Sequence, residues 1–102
     1  MAVDQVVQKV QDALNLRKLK SRLPKSPKVI DIRVEDYVDM DKEDALRVMV
    51  IYDEDVDVDN LNGRNISTLM SVIKGRVREL GVDRWAYIHF AKPSELEEGD
   101  EE

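Results

Sequence analysis

Cysteine is absent from the chain, which excludes disulfide bonds, thiolate-ligated zinc and thiol nucleophiles. Aromatic residues make up only 5% of the sequence, with one Trp and one Phe, so a core has to be built from aliphatic side chains. A single histidine leaves no pair of imidazoles for a metal site or a proton relay. Three prolines and four glycines provide little turn punctuation. No apolar run approaches the roughly 18 residues of a membrane-spanning helix, and Met1 to Val10 lacks a cationic segment followed by an apolar one. These absences set the expectation of a cytoplasmic protein with no membrane partner.

Charge is abundant. The net charge of −6 conceals an asymmetry: residues 1–28 hold seven Lys/Arg against Asp4 and Asp12, net +5, which leaves −11 for the rest. An acidic body repels phosphate backbones over most of its surface and disfavours general nucleic-acid binding, without excluding a local basic contact. At 102 residues with 42% apolar content, the chain supports one domain with one modest core.

The strongest local pattern runs from Asp44 to Asp59, where an apolar stretch ends in a ladder of carboxylates. Leu46, Val48, Val50 and Tyr52 share one alternation phase, Met49 and Ile51 the other, so both faces of a strand are apolar and the strand is central. Upstream, Val3, Val6, Val7, Val10, Ala13 and Leu14 recur at helical spacing, and the pattern predicts an amphipathic helix from Val3 to Lys20. Arg17, Lys18, Lys20 and Arg22 fall in its last turns, where cations suit the helix dipole, and Pro24 and Pro27 end it.

Val29 to Met40 alternates, with Ile30, Ile32, Val34, Val38 and Met40 on one face and Asp31, Arg33, Glu35, Tyr37 and Asp39 on the other. Asp36 interrupts the apolar phase and suggests a bulge or a fraying end. A short polar loop then makes an antiparallel hairpin with the central strand. After the ladder, Ile66, Leu69, Met70, Ile73, Val77 and Leu80 predict a second helix closed by Gly81, with Gly75 inside it suggesting a close approach to the sheet. Trp85 to Ala91 reads as a third strand ended by Pro93. Six of the nine residues from Ser94 to Glu102 are acidic, which predicts a disordered tail after a compact domain spanning residues 1–93.

The expected fold is therefore α+β and two-layered, in the order α-β-β-α-β. The helix between the second and third strands makes them parallel, giving a three-stranded mixed sheet of order 1-2-3, with 2-1-3 as the alternative. Charge on the outer face of the first strand requires both helices to cover the same face.

The uncovered face would then display Arg33, Glu35 and Tyr37, next Arg47, Met49 and Ile51, and finally Trp85, Tyr87 and His89. Aromatics, Met and Arg are enriched at protein interfaces, so the expected role is protein interaction, as a homodimer or an accessory subunit. The alternative is a nucleic-acid-binding module that stacks bases on the aromatics. The element order is similar to that of KH-like folds, although their G-x-x-G loop is missing, Gly63 being followed by Arg64, Asn65 and Ile66.

Asp53, Asp55, Asp57 and Asp59 form a weak candidate cation site. An EF-hand register fails from each start, because the twelfth position falls on Arg64, Ile66 or Thr68 rather than a glutamate. A solvated loop that supplies carboxylates to a helix N-terminus is the simpler reading. Ser67, Ser71 and Ser94 lie in no nucleophile motif and His89 has no partner of the required type, so neither enzymatic activity nor a cofactor is expected.

Overall fold

The computed structural model describes residues 5–25 and 27–99. The expected helix start at Val3 and the tail residues 100–102 lie outside that range. The first helical stretch is broken in two: α1 spans Gln5–Ala13 and α2 spans Leu16–Leu19. The break falls at Asn15, whose side chain accepts a hydrogen bond from the Arg17 amide at 2.8 Å and so caps a new helix instead of continuing the old one. The continuous helix expected from hydrophobic spacing is thus corrected by a local side-chain hydrogen bond. Lys18 Nζ reaches back to the Asp12 carbonyl at 3.2 Å and satisfies the exposed C-terminal end of α1.

Strand β1 covers Val29–Val38 and β2 covers Asp44–Tyr52; they pair antiparallel, with Val34 opposite Val48 and Ile32 opposite Val50. The hairpin loop is organised by Asp39, whose Oδ1 accepts from the Asp41 and Glu43 amides at 2.9 and 3.0 Å. After a single 3-10 turn at Val58–Asn60 comes helix α3, Gly63–Glu79, capped by Asn62. Gly81 follows with φ +73 and donates to the Arg78 carbonyl, the left-handed helix end that glycine alone adopts without cost. Strand β3, Trp85–Ala91, runs parallel to β2, with Leu46 beside Ala86 and Val48 beside Ile88. The sheet order is β1-β2-β3, the expected order and not the alternative 2-1-3, and the fold is mixed α+β.

The core lies between this sheet and the helices. Ile32 and Val34, Leu46, Val48 and Val50, and Ala86 meet Val10, Leu14 and Leu19 from α1, α2 and the turn between them, and Leu69, Ile73 and Val77 from α3. The core phase of β2 is buried throughout from Leu46 to Tyr52, whereas on its other face Ala45 and Ile51 are inaccessible and Arg47 and Met49 only half-buried. Strand β1 is buried only over its middle. Ile30, Val38 and Met40 share a phase with Ile32 and Val34, yet they are exposed.

For Ile30 the reason is a register shift between Val29 and Asp31, which inserts an extra residue and turns its side chain out. The irregularity therefore lies at Ile30; Asp36, where it was expected, pairs regularly with Leu46. Gly75 marks no close approach either, because a Cβ there would meet nothing within 4 Å. Gly75→Ala should accordingly raise stability by about 0.5–1 kcal/mol through helix propensity alone, measured as a shift in the denaturant midpoint at unchanged m-value.

Pro93–Gly99 forms a further helix of seven residues, α4, where disorder was expected from Ser94 onward. Its sequence is acidic and lacks core residues, but its start is held by two carboxylates. Glu95 Oε1 accepts from the Lys92 amide at 3.3 Å, half of a capping box, and Glu54 Oε1 accepts from the Ser94 amide at 2.6 Å. No helix among the described residues is long and apolar enough to cross a membrane.

Candidate functional site

The face of the sheet opposite the helices is laid out by the strand registers as rows. Glu35, Arg47 and Tyr87 form one row, Arg33, Met49 and His89 the next, and Asp31, Ile51 and Ala91 a third. Every residue in these rows is on that face because successive strand side chains alternate, and the opposite phase is taken by the core.

At the centre the aromatic residues engage one another. The Tyr37 and Tyr87 rings meet edge to face, with centroids 5.4 Å apart and an interplanar angle of 71°. The Arg47 guanidinium lies over the Tyr37 ring, 4.7 Å from its centroid. The Tyr87 hydroxyl donates to Asp39 Oδ2 at 3.3 Å. Burial pushes the Tyr87 hydroxyl pKa up, and the neighbouring Asp39 carboxylate pushes it further. Arg47 Nε is inaccessible and has no hydrogen-bond partner, an unsatisfied donor in the middle of the sheet face.

Of the eight residues the sequence assigned to this face, Arg33, Tyr37, Arg47, Met49, Tyr87 and His89 are brought together on it. Ile51 occupies its expected row but is only 2% exposed, so it offers nothing to a partner. Trp85 is 61% exposed but lies at the rim, its ring 5.0 Å from Lys74 Nζ of α3, where the sheet meets the helix layer. The face is consequently smaller and more polar than an exposed aromatic surface, with Arg33, Glu35 and His89 as its accessible parts.

The carboxylate ladder does not converge. Asp53 accepts from the Asp55 amide at 2.9 Å, Asp57 accepts from the Asp59 amide at 3.1 Å and from Asn60 Nδ2 at 2.6 Å, and Glu54 caps α4. The hydrogen bond to Ser94 holds the Glu54 carboxyl below its ordinary pKa. Among the described residues no group of three or more His, Asp or Glu side chains is placed to hold a metal ion. A shallow depression of about 460 Å³ beside the ladder is bordered by Lys28 as well as by Asp53, Asp55 and Asp57, which places a competing ammonium next to any cation that would enter.

The two edges of the sheet differ, and the closure of the first escaped the sequence. The Gln11 carboxamide of α1 takes the place of a neighbouring strand: its Nε2 donates to the Ile32 carbonyl at 2.8 Å and its Oε1 accepts from the Val34 amide at 2.7 Å. The outer edge of β1 is thereby closed at its middle. On the other side β3 is the last strand of the sheet, and its sequence WAYIHFA contains no Lys, Arg, Asp or Glu. Both the absence of charge in β3 and, through the expected order 1-2-3, its place at an edge were legible in the sequence. No family model, no curated protein and no solved structure matches the chain.

Proposed function

We propose that the chain is a protein-interaction module that associates with a second copy of itself through the open edge of β3 and the adjoining sheet face. The observation that carries this reading is the contrast between the two sheet edges. β1 is guarded by the Gln11 carboxamide and by Asp31, Arg33, Glu35 and Asp36 along its length, whereas β3 has neither device. Unguarded edge strands rich in aromatic and β-branched residues pair with other strands, and antiparallel pairing of β3 with its two-fold mate closes the edge in both copies. Centred on Ile88, that pairing sets Tyr87 of each copy across from His89 of the other and extends the same polar face across the joint. Base stacking is less well supported, because Tyr37 and Tyr87 are already engaged with each other and with Arg47, which leaves Trp85 at the rim as a single exposed ring rather than part of a stacking platform. Binding rather than catalysis is the reading the site chemistry favours.

The test is solution mass by light scattering over a concentration series at low and high salt, with His89→Lys alongside. A dimer whose stability is indifferent to salt is expected, returned to monomer by a lysine on the edge strand, with the thermal midpoint within about 3 °C of wild type. A monomer at every concentration and salt, or a dimer that tolerates the lysine, would overturn the reading.

A further inference from the structure

The basic character of the N-terminal third is concentrated around a groove at the opposite edge of the sheet from β3. The end of α2, the linker that follows it and the start of β1 enclose a cleft of about 700 Å³. Leu16, Leu23 and Ile30 supply apolar lining, and Arg17, Lys20 and Lys25 stand around it. Ile30 contributes because the register shift at the start of β1 turns it away from the core, leaving it 42% exposed. Among the described residues no carboxylate pairs with Arg17, Lys20 or Lys25, whereas Lys9, Lys18 and Lys28 are engaged with the Leu80 carbonyl, the Asp12 carbonyl and Asp53. Lys28 also borders the cleft but is held by Asp53, so the cations left for an occupant are Arg17, Lys20 and Lys25.

We infer that this cleft docks an acidic peptide segment carrying aliphatic side chains, a partner contact distinct from self-association at β3. An aliphatic side chain of such a segment covers Leu23 and Ile30, and its carboxylates lie against Arg17, Lys20 and Lys25. Charge complementarity selects the occupant, since this is a net +5 region on a chain that otherwise carries −11. The lining contains no aromatic side chain on which a nucleic-acid base could stack, so a phosphate-bearing strand finds only half of what it needs. A peptide uses both halves of the surface at once.

The test uses the full-length chain, isotopically labelled and titrated with the acetylated, amidated hexapeptide Glu-Leu-Glu-Glu-Leu-Glu. Amide shifts confined to the stretch from Leu16 to Ile30 are expected, with affinity falling as salt rises. The double variant Lys20→Glu/Lys25→Glu should weaken binding by about tenfold, and Ile30→Ser, at a half-exposed position that leaves the core intact, by about fivefold. His89→Lys should bind the peptide as wild type does, which separates this surface from the β3 edge. The inference is overturned if the peptide causes no shifts in the cleft, if Gln-Leu-Gln-Gln-Leu-Gln binds equally well, or if a single-stranded oligonucleotide binds there and the peptide does not.

Discussion

Leu46→Ala should lower the unfolding free energy by about 3 kcal/mol, while Met40→Ala should leave it unchanged within about 0.5 kcal/mol. The two residues look alike in the sequence, each an apolar side chain in the alternating phase of a predicted strand. In the fold Leu46 is wholly inaccessible at the core and Met40 is 97% exposed in the hairpin loop. Leu46 is flanked in register by Asp36 on β1 and Ala86 on β3, so neither neighbouring strand supplies a large side chain that could move into the space. Truncation therefore loses both the transfer energy of the removed carbons and the contacts around the residual cavity. For a domain of this size the loss corresponds to a drop in Tm of more than about 10 °C, read directly by calorimetry. A drop of only a few degrees would mean that β2 is not the centre of the core.

Gln11→Ala should cost about 2 kcal/mol and should also change the oligomeric state. The carboxamide makes two hydrogen bonds to strand backbone, at 2.8 and 2.7 Å, in a half-buried position. Removing it leaves the Ile32 carbonyl and the Val34 amide without that partner, and losing a hydrogen bond to a partly buried group costs roughly 1 kcal/mol each. The second consequence comes from edge protection. With the middle of β1 opened and only its charged side chains left as protection, a molecule paired through β3 as proposed would have a second edge to offer, so association would no longer stop at a closed dimer. Light scattering should show mass rising beyond the dimer with concentration, and Gln11→Glu should weaken the fold as well, because a carboxylate cannot donate to the Ile32 carbonyl. A variant that loses stability without any rise in mass would separate the structural part of the role from the protective one.

The central strand was readable because its signal is redundant: one phase of β2 is wholly apolar, and Met49 and Ile51 add apolar residues to the other. Helix α3 was readable because 3.6-residue spacing and a terminal glycine agree. The break between α1 and α2 was not, since one Asn side chain outweighed a hydrophobic periodicity that ran straight through it. Exposure along β1 was not readable either, because alternation says which face a residue is on, not how far the covering layer extends. The same holds for the sheet face. The sequence placed Tyr37, Arg47 and Tyr87 together, but not the edge-to-face contact, the guanidinium over Tyr37 or the hydroxyl bond to Asp39, which depend on side chains from three separate segments.

Sequence alone determined the order α-β-β-α-β, the parallel pairing across the crossover and the division of charge, because each follows from local spacing or from chain connectivity. Only the tertiary structure decided where the edges are closed and where the cleft opens. Gln11 reaches β1 across 23 residues of chain, and Glu54 reaches Ser94 across 40, to atoms that any amide or carbonyl could have offered. Backbone groups carry no sequence label, so contacts made to them are settled by packing and not by composition.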